Sequence, residues 1–241
     1  MFKRKPKVER PKRTFLQEVL SLATLLGVVF LLRTLVFQPF TIPSGSMEPG
    51  LMKGDYIIVS KFATGYGRHS AWPLTLPLDD RVMERGPDRG DVVVFRPEGV
   101  NKDYIKRVIG IPGDTVAVRD HVAYVNGQPV PSVGEDPRYQ TETLDGRDYL
   151  VKHMSAPSAN LSAPDGEYSI PPGYYFVLGD NRDNSLDSRV PPSSSGAGLV
   201  PSANIVGEAK FVLLSVRDDF SLFRPWTWYR LRGDRFFKGI E

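Results

Sequence analysis

The chain carries one long apolar stretch near its start and only short β-branched or aromatic runs afterwards. Residues 19–32, VLSLATLLGVVFLL, are uncharged. As an α-helix they rise about 21 Å, short of the ~30 Å hydrocarbon core of a bilayer. Extended over residues 14–37, the segment reaches ~36 Å. It then takes in Glu18 and Arg33, both near its ends, where long side chains reach headgroup depth. This pattern predicts one transmembrane helix. A cleavable signal peptide has a similar look, but the following VFQPFTIPSG is crowded by proline and lacks a small-x-small junction. The reading is an uncleaved anchor.

Beyond it, DYIIVSKF (55–62), GDVVVFRP (90–97), DYIKRVIGIPGD (103–114), TVAVRDHVAYVNGQPV (115–130), GYYFVLGD (173–180) and IVGEAKFVLLSV (205–216) read as strands punctuated by Gly, Pro and Asp. Asn126–Gly127 marks a tight hairpin. No later run has a long helical period, although the C-terminal tail has room for a short helix. The prediction is a mostly-β protein. Residues 131–172 are polar and rich in Pro, Asp and Ser, and VPPSSSGAGLVP (190–201) has the composition of a flexible surface loop. Both read first as loop. The stretch 65–88 yields no motif.

Composition sharpens this in three places. The 21 prolines and 22 glycines favour loop-rich β architecture over a helical bundle. The absence of cysteine rules out disulfides and thiolate metal sites. The net charge of +3 is uneven, because residues 1–13 hold seven Lys/Arg against one Glu. The remainder is net negative, which argues against nucleic-acid binding. A basic tail running straight into an apolar segment reads as a topology determinant. The expected division is a cytoplasmic tail over 1–13, an anchor over 14–37 and an extracytoplasmic domain over 38–241.

TIPSGSMEPG (41–50) then presents Ser44 and Ser46 on a turn-prone loop directly after the anchor. A serine nucleophile needs a base. His69, His121 and His153 are the histidines available, none with a recognisable partner motif, and Ser46 has no G-x-S-x-G elbow. Lysine is the other option. Lys106 shares a strand face with Tyr104 and Val108, while Ile105 and Ile109 take the other. An exposed lysine is neutral in roughly one molecule in a few thousand at pH 7. Burial that lowered its pKa by about two to three units would supply free amine, provided that Arg107 turned elsewhere. An exposed strand lysine is the ordinary alternative. GDNRDNSLDSR (179–189), directly after the apolar YYFVL, is a turn-rich polar loop at a strand end, where function often resides. Ser185 within it could orient a neutral lysine amine.

Together IPSGSMEP, RGDVVVFRP, DYIKRVIGIPGD and GDNRDNSLDSR resemble, in order and wording, the conserved boxes of the type I signal peptidases, the bacterial leader peptidases. The resemblance spans the tail, anchor, core strands and closing NIVGEAKF strand. It implies a β catalytic core with a small inserted cap within 115–172, and a serine–lysine dyad of Ser46 and Lys106. It further implies an oxyanion hole from the Ser46 N–H and the Ser44 hydroxyl. Ser185 would lie against the lysine amine, with Asp180, Asp187 and Arg189 as structural support. Phe40, Ile42, Met47, Leu51, Tyr104 and Ile105 match the pocket-lining positions for small side chains, implying Ala-x-Ala specificity and substrate binding by strand addition.

By the same resemblance the substrates are signal peptides of exported preproteins, met at a lipid bilayer near the secretion machinery, with no metal or cofactor in the reaction. One departure is RVPPSSSGAGLVP, which stands where many relatives have an aromatic–glycine pair. Two other classes compete: a self-cleaving repressor-type regulator, which the anchor argues against, and a catalytically silent anchored β-domain, which retention of Ser46 and Lys106 argues against. The tail FSLFRPWTWYRLRGDRFFKG (220–239) alternates aromatic and basic residues and suits either a membrane interface or a packing segment.

Overall fold

The computed structural model describes residues 14–70, 75–78, 81–83, 85–154 and 166–240. The basic tail 1–13, and parts of the stretches 65–88 and 131–172, lie outside the described residues. The apolar segment forms helix α1 (Phe15–Leu35). It opens with a capping box, in which the Thr14 hydroxyl accepts from the Gln17 N–H and the Gln17 side chain accepts from the Thr14 N–H. Glu18 in the first turn and Arg33 in the last complement the helix dipole. Its apolar side chains point outward all round, and by length and composition the helix can cross a membrane.

A single residue, Val36, separates α1 from β1 (Phe37–Thr41). The junction is bonded on several sides. The Lys61 ammonium donates to the Thr34 carbonyl at 3.1 Å, the Tyr66 hydroxyl to the Leu35 carbonyl at 2.5 Å, and the Lys61 N–H to the Val36 carbonyl at 3.0 Å. These donors satisfy carbonyls that a helix C-terminus leaves free.

The strands that follow are β2 (Asp55–Ser60), β3 (Val92–Phe95), β4 (Tyr104–Gly110), β5 (Thr115–Arg119), β6 (Val122–Val125), β7 (Gln128–Pro129) and β8 (Ser132–Val133). After them come β9 (Tyr139–Leu144), β10 (Arg147–Lys152), β11 (Gly166–Ser169), β12 (Tyr174–Leu178), β13 (Val200–Pro201), β14 (Ile205–Ser215) and β15 (Lys238–Gly239). Among the described residues, eight strands form one sheet in the order β1-β2-β14-β3-β4-β12-β13, with β15 beside β14. Every described pair within it is antiparallel. The long β14 breaks register against both β2 and β3, and such bulges bend a strand and strengthen its twist.

Strands β5 to β11 build two smaller sheets, β11-β5-β6-β7 and β10-β9-β8. They share a core with the main sheet: Val116, Val118 and Ala123 pack with Val151, and with Ile109 and Phe176. The Asn126–Gly127 hairpin forms as expected, both residues with positive φ.

Two expectations change. Residues 131–154 carry the β8–β9–β10 sheet, not loop alone; Glu142 is buried while Val133 and Leu150 are exposed, so the strands lack the alternation that would reveal them. The stretch 190–201 turns through Pro192–Ser194, then buries Ala197 and Val200 in the core and pairs β13 with β12. Gly196, Ala197 and Gly198 are buried there, while residues 191–195 stay exposed at the surface, so only the first half of the stretch is surface loop. In the C-terminal tail, Pro225–Arg230 forms a short 3-10 helix, while Phe223, Trp226 and Tyr229 remain strongly exposed.

Candidate active site

β4 is buried from Ile105 to Gly110, because the main sheet is covered there on both faces. Two of these buried residues are cations, so each needs a partner. Arg107 finds a bidentate one: its Nε and Nη2 donate to the two oxygens of Asp180, both at 2.8 Å, and its Nη1 donates to the Gly90 carbonyl. The guanidinium also lies 4.0 Å from the centroid of the Tyr149 ring. Arg107 therefore turns away from Lys106, as the serine–lysine reading required.

Lys106 is 3% exposed, and its Nζ lies 2.8 Å from Ser46 Oγ and 2.8 Å from the Ile105 carbonyl. Burial lowers its pKa to about 8, against the opposing pull of Asp187 and Asp180. At that value about one amine in ten is neutral at pH 7. A serine oxygen within hydrogen-bond reach of a largely desolvated amine meets the geometric requirement for general-base activation.

The serine loop is held from the other side by residues 179–189. Asn181 donates from its N–H to the Ser46 carbonyl at 3.2 Å and from Nδ2 to the Gly45 carbonyl at 2.9 Å. Gly179 allows the closest approach. A Cβ there would sit 2.5 Å from the Ser46 carbonyl oxygen and 2.2 Å from Ser185 Oγ. The Asp187 carboxylate accepts from the Gly179 N–H and from Arg189. Although burial alone would raise its pKa, Arg189 and these donors hold it below the usual carboxylate range. A second buried pair, Arg182 with Glu142, is joined by the Tyr149 hydroxyl, which donates to Glu142 at 2.8 Å. Removing one member of such buried pairs costs roughly 3–5 kcal/mol, so this scaffold resists displacement.

The expected residues divide into two groups. Ser46, Lys106, Ser44, Tyr104 and Ile105 come together on a cleft of about 400 Å³, with Asn184 and Leu186 at its side. Ser44 Oγ is 3.5 Å from Ser46 Oγ. The turn's own backbone bonds run from Glu48 to Gly45 and from Leu51 to Met47, and none uses the Ser46 N–H. Ile42, Met47 and Leu51 instead lie buried behind Ile105, with Phe40 against the same cluster. Through Ile105 this cluster backs onto the cleft.

Ser185 is buried beside the Asp187 carboxylate but its hydroxyl makes no hydrogen bond to Lys106 among the described residues. No histidine lines the cleft. His121 and His153 instead meet Asp183. Gly179 and Asn181 were not singled out by the sequence reading. The signal for Gly179 was a glycine between an apolar strand and a run of turn-formers; Asn181 finds Gly45 across 136 residues of chain, which no local pattern reveals.

A Gly179→Ala variant tests this crowding. The added methyl must push back either the Ser46 carbonyl or Ser185, and misplacing a nucleophile by a fraction of an ångström to 1 Å costs up to ~10²-fold in rate. The expected result is a kcat lower by one to two orders of magnitude, on the order of 10–10², with a modest fall in Tm. An unchanged kcat in steady-state assays would refute the role given to this glycine.

Comparison with known proteins makes this a hydrolase of the serine endopeptidase class. The chain belongs to the signal peptidase family, peptidase S26, whose family model matches residues 15–214. It is 35% identical to signal peptidase I of Rickettsia typhi, over 96% of each chain. It is 43% identical to signal peptidase I of Pseudomonas aeruginosa, over 82% of this chain and 72% of that one. A solved signal peptidase I from Enterococcus faecalis V583 is 31% identical, covering 52% of this chain and 97% of that chain, with a TM-score of 0.34.

Proposed function

We propose that this endopeptidase is membrane-anchored and removes N-terminal signal peptides from exported preproteins after small residues, with Ser46 as nucleophile and Lys106 as general base. The observation that carries the reading is the 2.8 Å contact between Ser46 Oγ and the buried Lys106 Nζ. Neutral Lys106 takes the Ser46 proton as Oγ attacks the scissile carbonyl carbon. The oxyanion that forms accepts hydrogen bonds from the Ser46 N–H and the Ser44 hydroxyl. The ammonium then gives its proton to the departing amine as the C–N bond breaks, leaving an ester on Ser46. Water, deprotonated by the same lysine, attacks the ester and frees the enzyme. Asp180, Asp187, Arg189 and Ser185 act as support for this pair.

β12 stops pairing with β4 at Arg107↔Leu178, so among the described residues Tyr104–Lys106 has a strand partner only on the β3 side. An extended substrate fits that open edge, between it and residues 43–46, by strand addition. Tyr104, Ile105 and Leu186 give the cleft apolar walls suited to small side chains. The helix Phe15–Leu35 serves as the anchor, with residues 1–13 cytoplasmic, 38–241 extracytoplasmic and a small cap within 115–172. The exposed Phe223, Trp226 and Tyr229 suit headgroup depth. Partners are then signal peptides and the lipid bilayer, near the secretion machinery; nucleic acid plays no part.

The test is a preprotein with an Ala-x-Ala junction, incubated with the full chain in detergent micelles. The mature N-terminus, read by mass spectrometry, should begin directly after the second alanine. Leucine in place of that alanine should lower kcat/KM by at least ~10²-fold, since a small pocket rejects added volume sterically. Cleavage at scattered bonds, or equal cleavage of the leucine substrate, would overturn the specificity proposed.

A further inference from the structure

Away from the cleft, three side chains converge that the peptidase reaction does not use. His121 sits at the tip of the β5–β6 hairpin, where Asp120 and His121 have φ of 49° and 66°. Those are the two central positions of a primed turn, the second of which usually goes to glycine. His121 Nδ1 lies 3.1 Å from Asp183 Oδ1. His153 follows the end of β10. Its ring meets that of His121 edge to face, with centroids 5.8 Å apart, and its Nδ1 lies 3.9 Å from Asp183 Oδ2. That nitrogen is buried and has no hydrogen-bond partner. Asp183 is itself buried and is held in place by the Met154 N–H, which donates to Oδ2 at 2.8 Å.

We propose that His121, His153 and Asp183 form a transition-metal site, best suited to Zn²⁺, that ties the two small sheets to the loop beside the nucleophile. One donor atom from each residue lies within 4.8 Å of the other two, around a cavity of about 220 Å³ bordered also by Asp120, Pro137 and Gln140. Two imidazoles and a carboxylate are a borderline donor set of the kind zinc takes, with water free to complete a tetrahedron. Bonds of about 2.0–2.2 Å place tetrahedral ligands roughly 3.3–3.6 Å apart, so the three groups close in by about an ångström on binding. His121, half-exposed on a hairpin tip, has the freedom to make that movement.

The alternative, a simple His121–Asp183 ion pair, leaves the buried His153 nitrogen unsatisfied, whereas a shared cation satisfies all three groups. The ligands come from the β5–β6 turn, the end of β10 and residues 179–189. The ion's role is therefore a clamp, outside the reaction itself.

The probe is Zn²⁺ alone, added to the metal-stripped full chain in detergent, purified without a histidine tag. One equivalent should survive gel filtration, as counted by elemental mass spectrometry. Tm should rise by roughly 5–10 °C at a hundredfold excess over Kd, and Co²⁺ should give the visible bands of a tetrahedral site. The His121→Ala/His153→Ala double variant should keep the metal-free Tm of wild type and lose all three signals. Asp183→Asn should weaken binding; if that variant fails to fold, the histidine variants decide. Retention of far less than one equivalent by wild type, or equal retention by the double variant, would overturn the site. None of these readouts depends on peptide cleavage, so the outcome is separable from the peptidase reading.

Discussion

Lys106→Met should give a folded protein that cleaves preprotein at least ~10³–10⁴-fold more slowly than wild type, since it loses the amine placed on Ser46 Oγ. Methionine is close to lysine in length and suits the buried site, so circular dichroism and gel-filtration profiles should not change. In wild type, kcat/KM should climb with unit slope on a logarithmic plot below pH 8 and level off above it, because the proposed mechanism needs neutral Lys106 and burial puts its pKa at about 8. Stability carries the same signature. Between pH 8 and 10.5 the unfolded chain binds the lysine proton and the folded chain does not, so wild-type stability rises with pH through that window. Below pH 8 both states bind it, and the whole cost of the buried ammonium, on the order of 3 kcal/mol, stands. Subtracting the Lys106→Met stability profile from that of wild type isolates this slope from all other titrations. A fully active variant, or a difference profile that is flat from pH 8 to 10.5, would remove Lys106 from the mechanism.

Ser46→Ala should be inactive to a similar degree, on the order of 10⁴-fold or more. The missing oxygen breaks the 2.8 Å bond from Lys106 and the long 3.5 Å contact with the exposed Ser44, so stability should change by only about 1 kcal/mol. Wild type stopped rapidly in acid during turnover should yield a peptide containing Ser46 with the added mass of the substrate's acyl portion, absent from the variant. Because the two groups act as one unit, the Ser46→Ala/Lys106→Met double variant should be no slower than either single variant. Additive losses would mean that the two residues work separately. Undiminished cleavage by Ser46→Ala would return the nucleophile to open question, together with the histidines.

What could be read from the sequence was whatever is local. β-branched runs gave away most strands of the main sheet, and the uncharged run before Ser46 gave away α1. Lys106 stood out because it is a cation among apolar neighbours on a strand, and the dense polar run after YYFVL drew attention to Ser185, whereas Asp180 and Asp187 came only through the resemblance. Relations created by folding were not readable. The bidentate pairing of Arg107 with Asp180 spans 73 residues, and Asp183 gathers His121 and His153 from two different sheets. The crowding that demands Gly179 comes from Ser46, far away in sequence, and Gly179 has no positive φ to advertise it. Residues 196–200 misled for a related reason: small side chains satisfy tight packing and slack loops alike, and only the neighbours decide which.

The one-residue junction between α1 and β1 has a bearing on how substrates are measured. With Val36 as the sole spacer and Lys61 and Tyr66 fastened to the last turn of the helix, the catalytic domain has no slack on its stalk. Once the helix is seated in a bilayer, Ser46 stands at a set altitude above the lipid. On the proposed reading this makes the protein a depth gauge: a preprotein would be cut where its chain emerges at that altitude, and the length of its own apolar segment would decide which bond arrives there.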